Sequence, residues 1–206
     1  VRENKKELIL DIAAKHFSRH GFDATSLEEV ASDAGVTKPA IYYHFKDKSA
    51  LYESVLLGRL RRLAETLERA VEAIEGPREK LRLYIEMFGA FLERNDCFAA
   101  ILLHEFADNG EHMPDAAVRE LARTLGIVTT VLNEGVEAGV FSVENPMVVQ
   151  MMIVSPLITH QTTRSLRGRV TANIRGDFRH RPEPNIEDFS KILARNILKT
   201  IARESR

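Results

Sequence analysis

The amino-acid sequence predicts an all-α protein of about nine helices. A small N-terminal three-helix module over residues 1–47 is joined to a larger helical bundle over residues 48–206. Three observations carry that reading. Apolar residues recur at spacings of three and four along almost every segment, the period of a helix with one buried face. The β-branched alternation closed by Asn-Gly or Asp-Gly turns, which marks strands, is absent. Three short helical patterns also crowd in ahead of Asp47, where a much longer one begins.

The first helix is read from Lys5 to His20, with Leu8, Ile9, Ile12, Ala13 and Phe17 on one face and Gly21 as its C-cap. The second runs from Ser26 to Ala34. Ser26 and Glu29 have the S-x-x-E spacing of a capping box, and Leu27, Val30 and Ala31 supply its apolar face. Gly35 breaks it, and Thr37 opens a third helix with Pro39 in its first turn, where a missing N–H costs nothing. Asp47 then caps a long helix in which Leu51, Val55, Leu56, Leu60, Leu63, Leu67, Val71 and Ile74 recur until Gly76-Pro77 ends it. Further helices are expected over 78–94, 96–107, 114–138, 146–167 and 186–203, with loops over 108–113 and 168–185.

Composition fits a soluble globular protein: 206 residues, 44% hydrophobic, 29% charged, formal net charge −1. One cysteine, Cys97, allows no internal disulfide and suits a reducing, cytoplasmic setting. The longest apolar run, Met147 to Ile158, is interrupted by Gln150, Ser155 and Pro156 and is too short to span a bilayer, so no membrane partner is expected.

Two short helices joined by Ala34-Gly35-Val36-Thr37 form a helix-turn-helix pattern. On the third helix Ile41 and Phe45 lie four apart and face inward. Lys38, Pro39, Ala40, Tyr42, Tyr43 and His44 are left on the outer arc. Small residues there permit close approach to a major groove, while phenols, imidazole and lysines suit phosphates and base edges. Packing of the two tyrosines against the fourth helix would be the plainer explanation. Neighbouring helical positions diverge by about 100°, however, so Tyr42, Tyr43 and His44 cannot share one buried face. Residues 1–50 balance eight basic against eight acidic side chains, whereas 37–48 hold three lysines and one aspartate. A positive stripe on a neutral module should bind DNA usefully only as a dimer, on half-sites about 34 Å apart.

The run HGFDATSLEEVASDAGVTKPAIYYHFKDKSALYESV resembles the N-terminal domain of the tetracycline-repressor (TetR) family. The likeness extends over about residues 5–56 and rests on G-[FY]-x-x-[TS]-[TS], the A-x-x-A-G-V turn and the Y-x-[HY]-F-x-x-K-x-x-L ending. It implies that Thr25 and Ser26 touch phosphate, that Thr37, Tyr42, His44 and Lys48 act mainly as phosphate clamps, and that Lys38, Pro39, Ala40 and Tyr43 approach the bases. It also implies a C-terminal ligand-binding and dimerisation domain. There the last two helices would form a four-helix bundle with those of a second subunit, and an effector would shift the fourth helix.

The rest of the chain has no comparable motif. Ile186, Phe189, Ile192, Leu193, Ile197 and Ile201 make an apolar stripe wider than one neighbour requires, in keeping with a homodimer. Met147 to Ile158, apolar almost all round, is expected to be buried on both sides. A small, largely apolar effector would fit between the helices that follow Gly76-Pro77 and the helix starting at Pro146, among Met87, Phe88, Phe91, Phe98, Leu102, His104, Phe106, Val128, Val131, Met151, Met152 and His160. Gly89 and Gly126 mark either close helix packing or room for that ligand. His104-Glu105 and His112 lack the i, i+4 histidine pair of a zincin helix, so neither metal nor cofactor is expected. Cys97 has no neighbouring base, and no enzyme activity is expected. The segment 164–181 carries six arginines against Asp177 and is read as a solvated loop, as packed onto a second subunit, or as an anionic contact that supplements DNA affinity. The sequence therefore points to a ligand-responsive transcriptional regulator, a repressor released from operator DNA. The alternative is a helical small-molecule carrier or enzyme with an incidental helix-turn-helix.

Overall fold

Gly21 and Gly35 set the corners of the N-terminal module, because each adopts a backbone that a side chain disfavours. Gly21 (φ 72°, ψ −174°) interrupts α1 (Arg2–Ala24), and Gly35 (φ 62°) separates α2 (Leu27–Asp33) from α3 (Lys38–His44). The structure, a computed structural model, describes residues 2–174 and 182–203. Among them lie ten helices. After α3 come α4 (Lys48–Glu72), α5 (Pro77–Arg94), α6 (Asp96–Ala107), α7 (Asp115–Glu137), α8 (Pro146–Thr162), α9 (Arg164–Ala172) and α10 (Ile186–Thr200).

The helix ends show which local signals act. Asp47 accepts the Ala50 N–H at 2.8 Å and starts α4. Asn145 and Asn185 do the same for Met147 and Asp188, at 2.9 and 2.8 Å, ahead of α8 and α10. The capping box expected of Ser26 and Glu29 does not form. Ser26 makes no cap bond, and its hydroxyl donates to the Glu28 carboxylate at 3.1 Å. The helix expected over 146–167 is two helices. Thr163 leaves helical geometry (φ −106°, ψ 14°), and α9 occupies part of the expected 168–185 loop. Of the six arginines in 164–181, Arg175, Arg179 and Arg181 lie outside the described residues.

The chain divides into two compact units. The first comprises the residues through Arg62 together with Asp96–Ala122, so it reaches well beyond 1–47. Ile9, Ala13 and Phe17 of α1, Val30 of α2, Ile41 of α3, Leu51 and Leu56 of α4, and Phe98 and Ile101 of α6 are fully enclosed in it. Arg59 of α4 lies 3.7 Å from Asp11 of α1, and His16 lies 2.9 Å from Asp33, which ties α1 to α2.

The second unit comprises Leu63–Asn95 and the residues from Arg123 onward. Within it α5 packs on α10 and α8. At Gly89 a methyl group would sit 1.9 Å from the Ser190 hydroxyl, so this glycine marks close packing rather than ligand space. The hydroxyl of Tyr84 of α5, fully buried, lies 3.1 Å from the Thr124 carbonyl and 3.2 Å from the side-chain oxygen of Gln150 of α8, which share its one proton. Phe141 fills the space above Gly135 and pairs its backbone with Ala202. In the single chain α8 is buried on one side only. Val149, Ile153 and Leu157 face inward, while Met147, Val148 and Met151 are 47, 53 and 59% exposed.

Candidate nucleic-acid interface

The helix α3 is held by two side chains and shows the rest. Ile41 is fully buried and Phe45 is 4% exposed, whereas Tyr42 and Tyr43 stand out at 47 and 71%. Thr37 and Pro39 are exposed; Lys38, Ala40 and His44 are half-buried. The divergence expected from helical spacing is thus the geometry observed. Tyr43 packs edge-on to His44 with ring centroids 5.1 Å apart. Lys38 pairs with Glu28 of α2 and passes 5.9 Å from the Tyr42 ring. The hydrogen bond from Lys38 holds the Glu28 carboxyl below its ordinary range, and Glu28 in turn raises the Lys38 ammonium.

Two residues expected to touch phosphate are engaged elsewhere. Thr25 is 3% exposed and donates its hydroxyl to the Gly21 carbonyl at 2.7 Å, closing the corner that Gly21 opens. Lys48 directs its ammonium at the carbonyls of Phe22, Asp23 and Thr25, at 2.9, 3.0 and 3.3 Å. An ammonium has three N–H donors, so these carbonyls use all of them. Lys48 thereby ties the start of α4 to the end of α1. It positions the module rather than offering a free charge.

Phe22, which the sequence reading gave no role, is the hub of that corner. Lys48 lies 4.5 Å above its ring, Tyr52 meets it edge-on at 5.1 Å, and His112 stacks on it at 4.4 Å. His112 also reaches the Asp23 carboxylate at 3.2 Å. One turn beyond Lys48, the Tyr52 hydroxyl donates to Glu105 of α6, a carboxylate only 3% exposed. Burial and the adjacent carboxylate push the Tyr52 phenol well above its usual value. His104 packs under Gly21 and approaches the Ser18 carbonyl at 3.3 Å. The His104, Glu105 and His112 trio, weighed above as a metal motif, serves as packing and hydrogen bonding around α1. No metal-binding group of three such side chains occurs among the described residues. A carboxylate within the otherwise apolar run FAAILLHEFA was the available signal for Glu105.

The twelve candidate ligand residues fall in two sets. Phe98, Leu102, His104 and Phe106 belong to the first unit; Met87, Phe88, Phe91, Val128, Val131, Met151, Met152 and His160 belong to the second. Phe88, Phe91, Phe98, Leu102, Val128 and Val131 are buried core, Met87, Met152 and His104 are half-buried, and Phe106 and Met151 are exposed. His160 stacks on Phe189 at 4.2 Å and reaches the Pro184 carbonyl at 3.1 Å. It is the one member of the twelve that lines the cleft beside α9.

Comparison with known proteins gives this geometry a family. Residues 9–55 match the family described as bacterial regulatory proteins, tetR family, and residues 75–172 match the tetracyclin repressor-like C-terminal domain. Among curated relatives, the HTH-type transcriptional activator FasR of Mycolicibacterium smegmatis is 32% identical over 94 residues, which is 46% of this chain and 43% of FasR. The chain thus matches less than half the length of that relative. The HTH-type transcriptional repressor KstR2 of the same species is 26% identical over 144 residues, 67% of this chain and 68% of KstR2. The crystal structure of the TetR-family regulator PfmR from Thermus thermophilus superposes with a TM-score of 0.70 at 26% identity, covering 93% of this chain and 97% of that one. The two family matches together take in more than two thirds of the sequence, and the chain belongs to the tetR family of bacterial regulatory proteins.

Proposed function

We propose that this chain is a homodimeric transcriptional repressor that inserts α3 into the major groove of operator DNA and is released by a small, largely apolar effector. The observation that carries the DNA-binding reading is the exposure of Tyr42 and Tyr43 around a fully buried Ile41. Large rings held out from a rigid helix carry an enthalpic and entropic advantage only when a partner covers them. Tyr43 with Lys38, Pro39 and Ala40 would meet base edges; Thr37, Tyr42 and His44 would set depth on the backbone. Ser26, at the start of α2, would touch phosphate.

Dimerisation is supported by the apolar outer side of α8, Met147, Val148 and Met151, continued by Ile192 of α10 at 38% exposure. An effector acts if it binds the DNA-incompetent arrangement better than the competent one, and operator DNA must then weaken effector binding by the same factor. Catalysis finds no support in Cys97, whose thiol is pushed up by burial, opposite to an activated nucleophile. No helix among the described residues is long and apolar enough to cross a membrane.

The test is electrophoretic retardation of the DNA upstream of the protein's own gene. Retardation that survives excess random duplex and weakens with salt supports the proposal. Equal retardation of upstream and random DNA would remove it, leaving a helical carrier. Transcription from that promoter with and without the protein reads the sign of regulation.

A further inference from the structure

In the second unit a cleft of about 1210 Å³ opens between the end of α8, one side of α9 and residues 182–184 ahead of α10. Its volume lies at or above the upper end of small-molecule sites, which run to about 1,000 Å³. The helix α9 has no buried residue, an unusual condition for a helix with apolar side chains. Leu166 and Val170, one turn apart, are 55 and 54% exposed on the cleft wall, and Pro156 and Phe189 face them from α8 and α10. The stretch 159–174 carries Arg164, Arg167 and Arg169 and no acidic residue. Opposite them is Glu183, paired with Arg167; in the first turn of α10, Glu187 is paired with Lys191 and Asp188 stands beside it. Of the three arginines Arg167 is the one that lines the cleft; it is paired there with Glu183, its Nη2 is buried without a hydrogen-bond partner, and the walls are apolar.

We propose that this cleft binds a small amphipathic anion, a carboxylate on an alkyl or aryl tail, with the tail against Leu166, Val170 and Phe189 and the carboxylate at Arg167, whose buried Nη2 has no hydrogen-bond partner. The inference rests on the reading of the larger helical region as the effector-binding part and gives that effector a place and a charge. Arg167 is prepared to hold an anion in fixed geometry. Its guanidinium donates to the Thr159 carbonyl at 3.1 Å and the Thr163 hydroxyl at 2.6 Å, besides pairing with Glu183. A ligand carboxylate at this position takes over the role of Glu183. His160, at the cleft floor, has its imidazole held below its usual value by burial and then by Arg167, so the floor adds no competing charge near neutral pH. A second copy of the chain is a poorer occupant, since two-fold pairing of α9 with itself would set three arginines against three more.

The experiment is isothermal titration calorimetry of the full chain with decanoate and with decyltrimethylammonium, each below its micelle concentration. Decanoate should bind at one site per chain and the cation at least ~10-fold more weakly, the effect of about 1.4 kcal/mol of charge discrimination. Arg167→Leu should weaken decanoate. Because Arg167 also braces α9, Val170→Glu supplies an independent check: it alters only an exposed wall residue and should weaken decanoate by a similar factor. No decanoate binding, equal affinity for anion and cation, or an unchanged Val170→Glu variant overturns the proposal. A Val170→Glu chain that loses a subunit by mass overturns it too, showing the cleft to be a subunit seam. Retardation of upstream DNA by the parent protein, measured in parallel, reports separately on the regulator reading.

Discussion

Replacing Tyr52 with Phe isolates the contact that joins α4 to α6 beside the DNA-binding corner. The ring keeps its edge contacts with Phe17 at 4.6 Å and Phe22 at 5.1 Å, so packing changes little. Only the hydroxyl is lost, and with it the hydrogen bond to Glu105. The second Glu105 oxygen has no hydrogen-bond partner, and the residue is 3% exposed, so the variant leaves a buried carboxylate without either contact. A hydrogen bond to a charged group contributes about 1.5–3 kcal/mol, and that range is the expected loss in urea unfolding at neutral pH. The pH dependence adds a signature. The folded-state phenol lies above its unfolded value, so its contribution is complete below the unfolded pKa of about 10 and is lost as pH rises toward the folded one. The gap between parent and variant should stay constant through neutrality and close above that pH. A difference within about 0.5 kcal/mol at neutral pH, or a gap that ignores alkaline titration, would refute the reasoning.

Three further outcomes are expected. Tyr43→Ala, at a site 71% exposed, should leave thermal unfolding unchanged while weakening upstream DNA by roughly 10- to 100-fold, consistent with ~1–3 kcal/mol per base-edge contact, and affecting random DNA less. Gly89→Ala should cost about 1–3 kcal/mol in chemical unfolding, because its methyl would meet the Ser190 hydroxyl at 1.9 Å and force it off the Ile186 carbonyl, in a contact where the Ser190 Cβ is already only 3.1 Å away. Met151→Glu, on the exposed side of α8, should convert a dimer into a 23.3 kDa species by light scattering without loss of helicity by circular dichroism.

The helices and the outer arc of α3 were legible in the sequence because they rest on period and spacing alone. Ile41 and Phe45 had to face inward together, and they do. What was not legible depends on which groups meet across the fold. Lys48 reads as a phosphate ligand by charge and position, yet the carbonyls of Phe22, Asp23 and Thr25, just past Gly21, receive its protons. Thr25 reads as a surface hydroxyl until that same corner buries it. The break at Thr163 left no glycine or proline to announce it, so α9 merged with α8 in the periodic pattern. For the ligand, apolar residues of a core and of a pocket have one composition, and spacing cannot separate Phe88, in the core, from His160, at a cleft.

Hydroxyl-radical footprinting of the retarded upstream DNA tests most directly whether this chain is a dimeric regulator that reads operator DNA through α3. The account predicts two protected half-sites on one face of the duplex, centred about 34 Å apart, with protection lost for Tyr43→Ala. A single protected site, or uniform protection along the fragment, would contradict it.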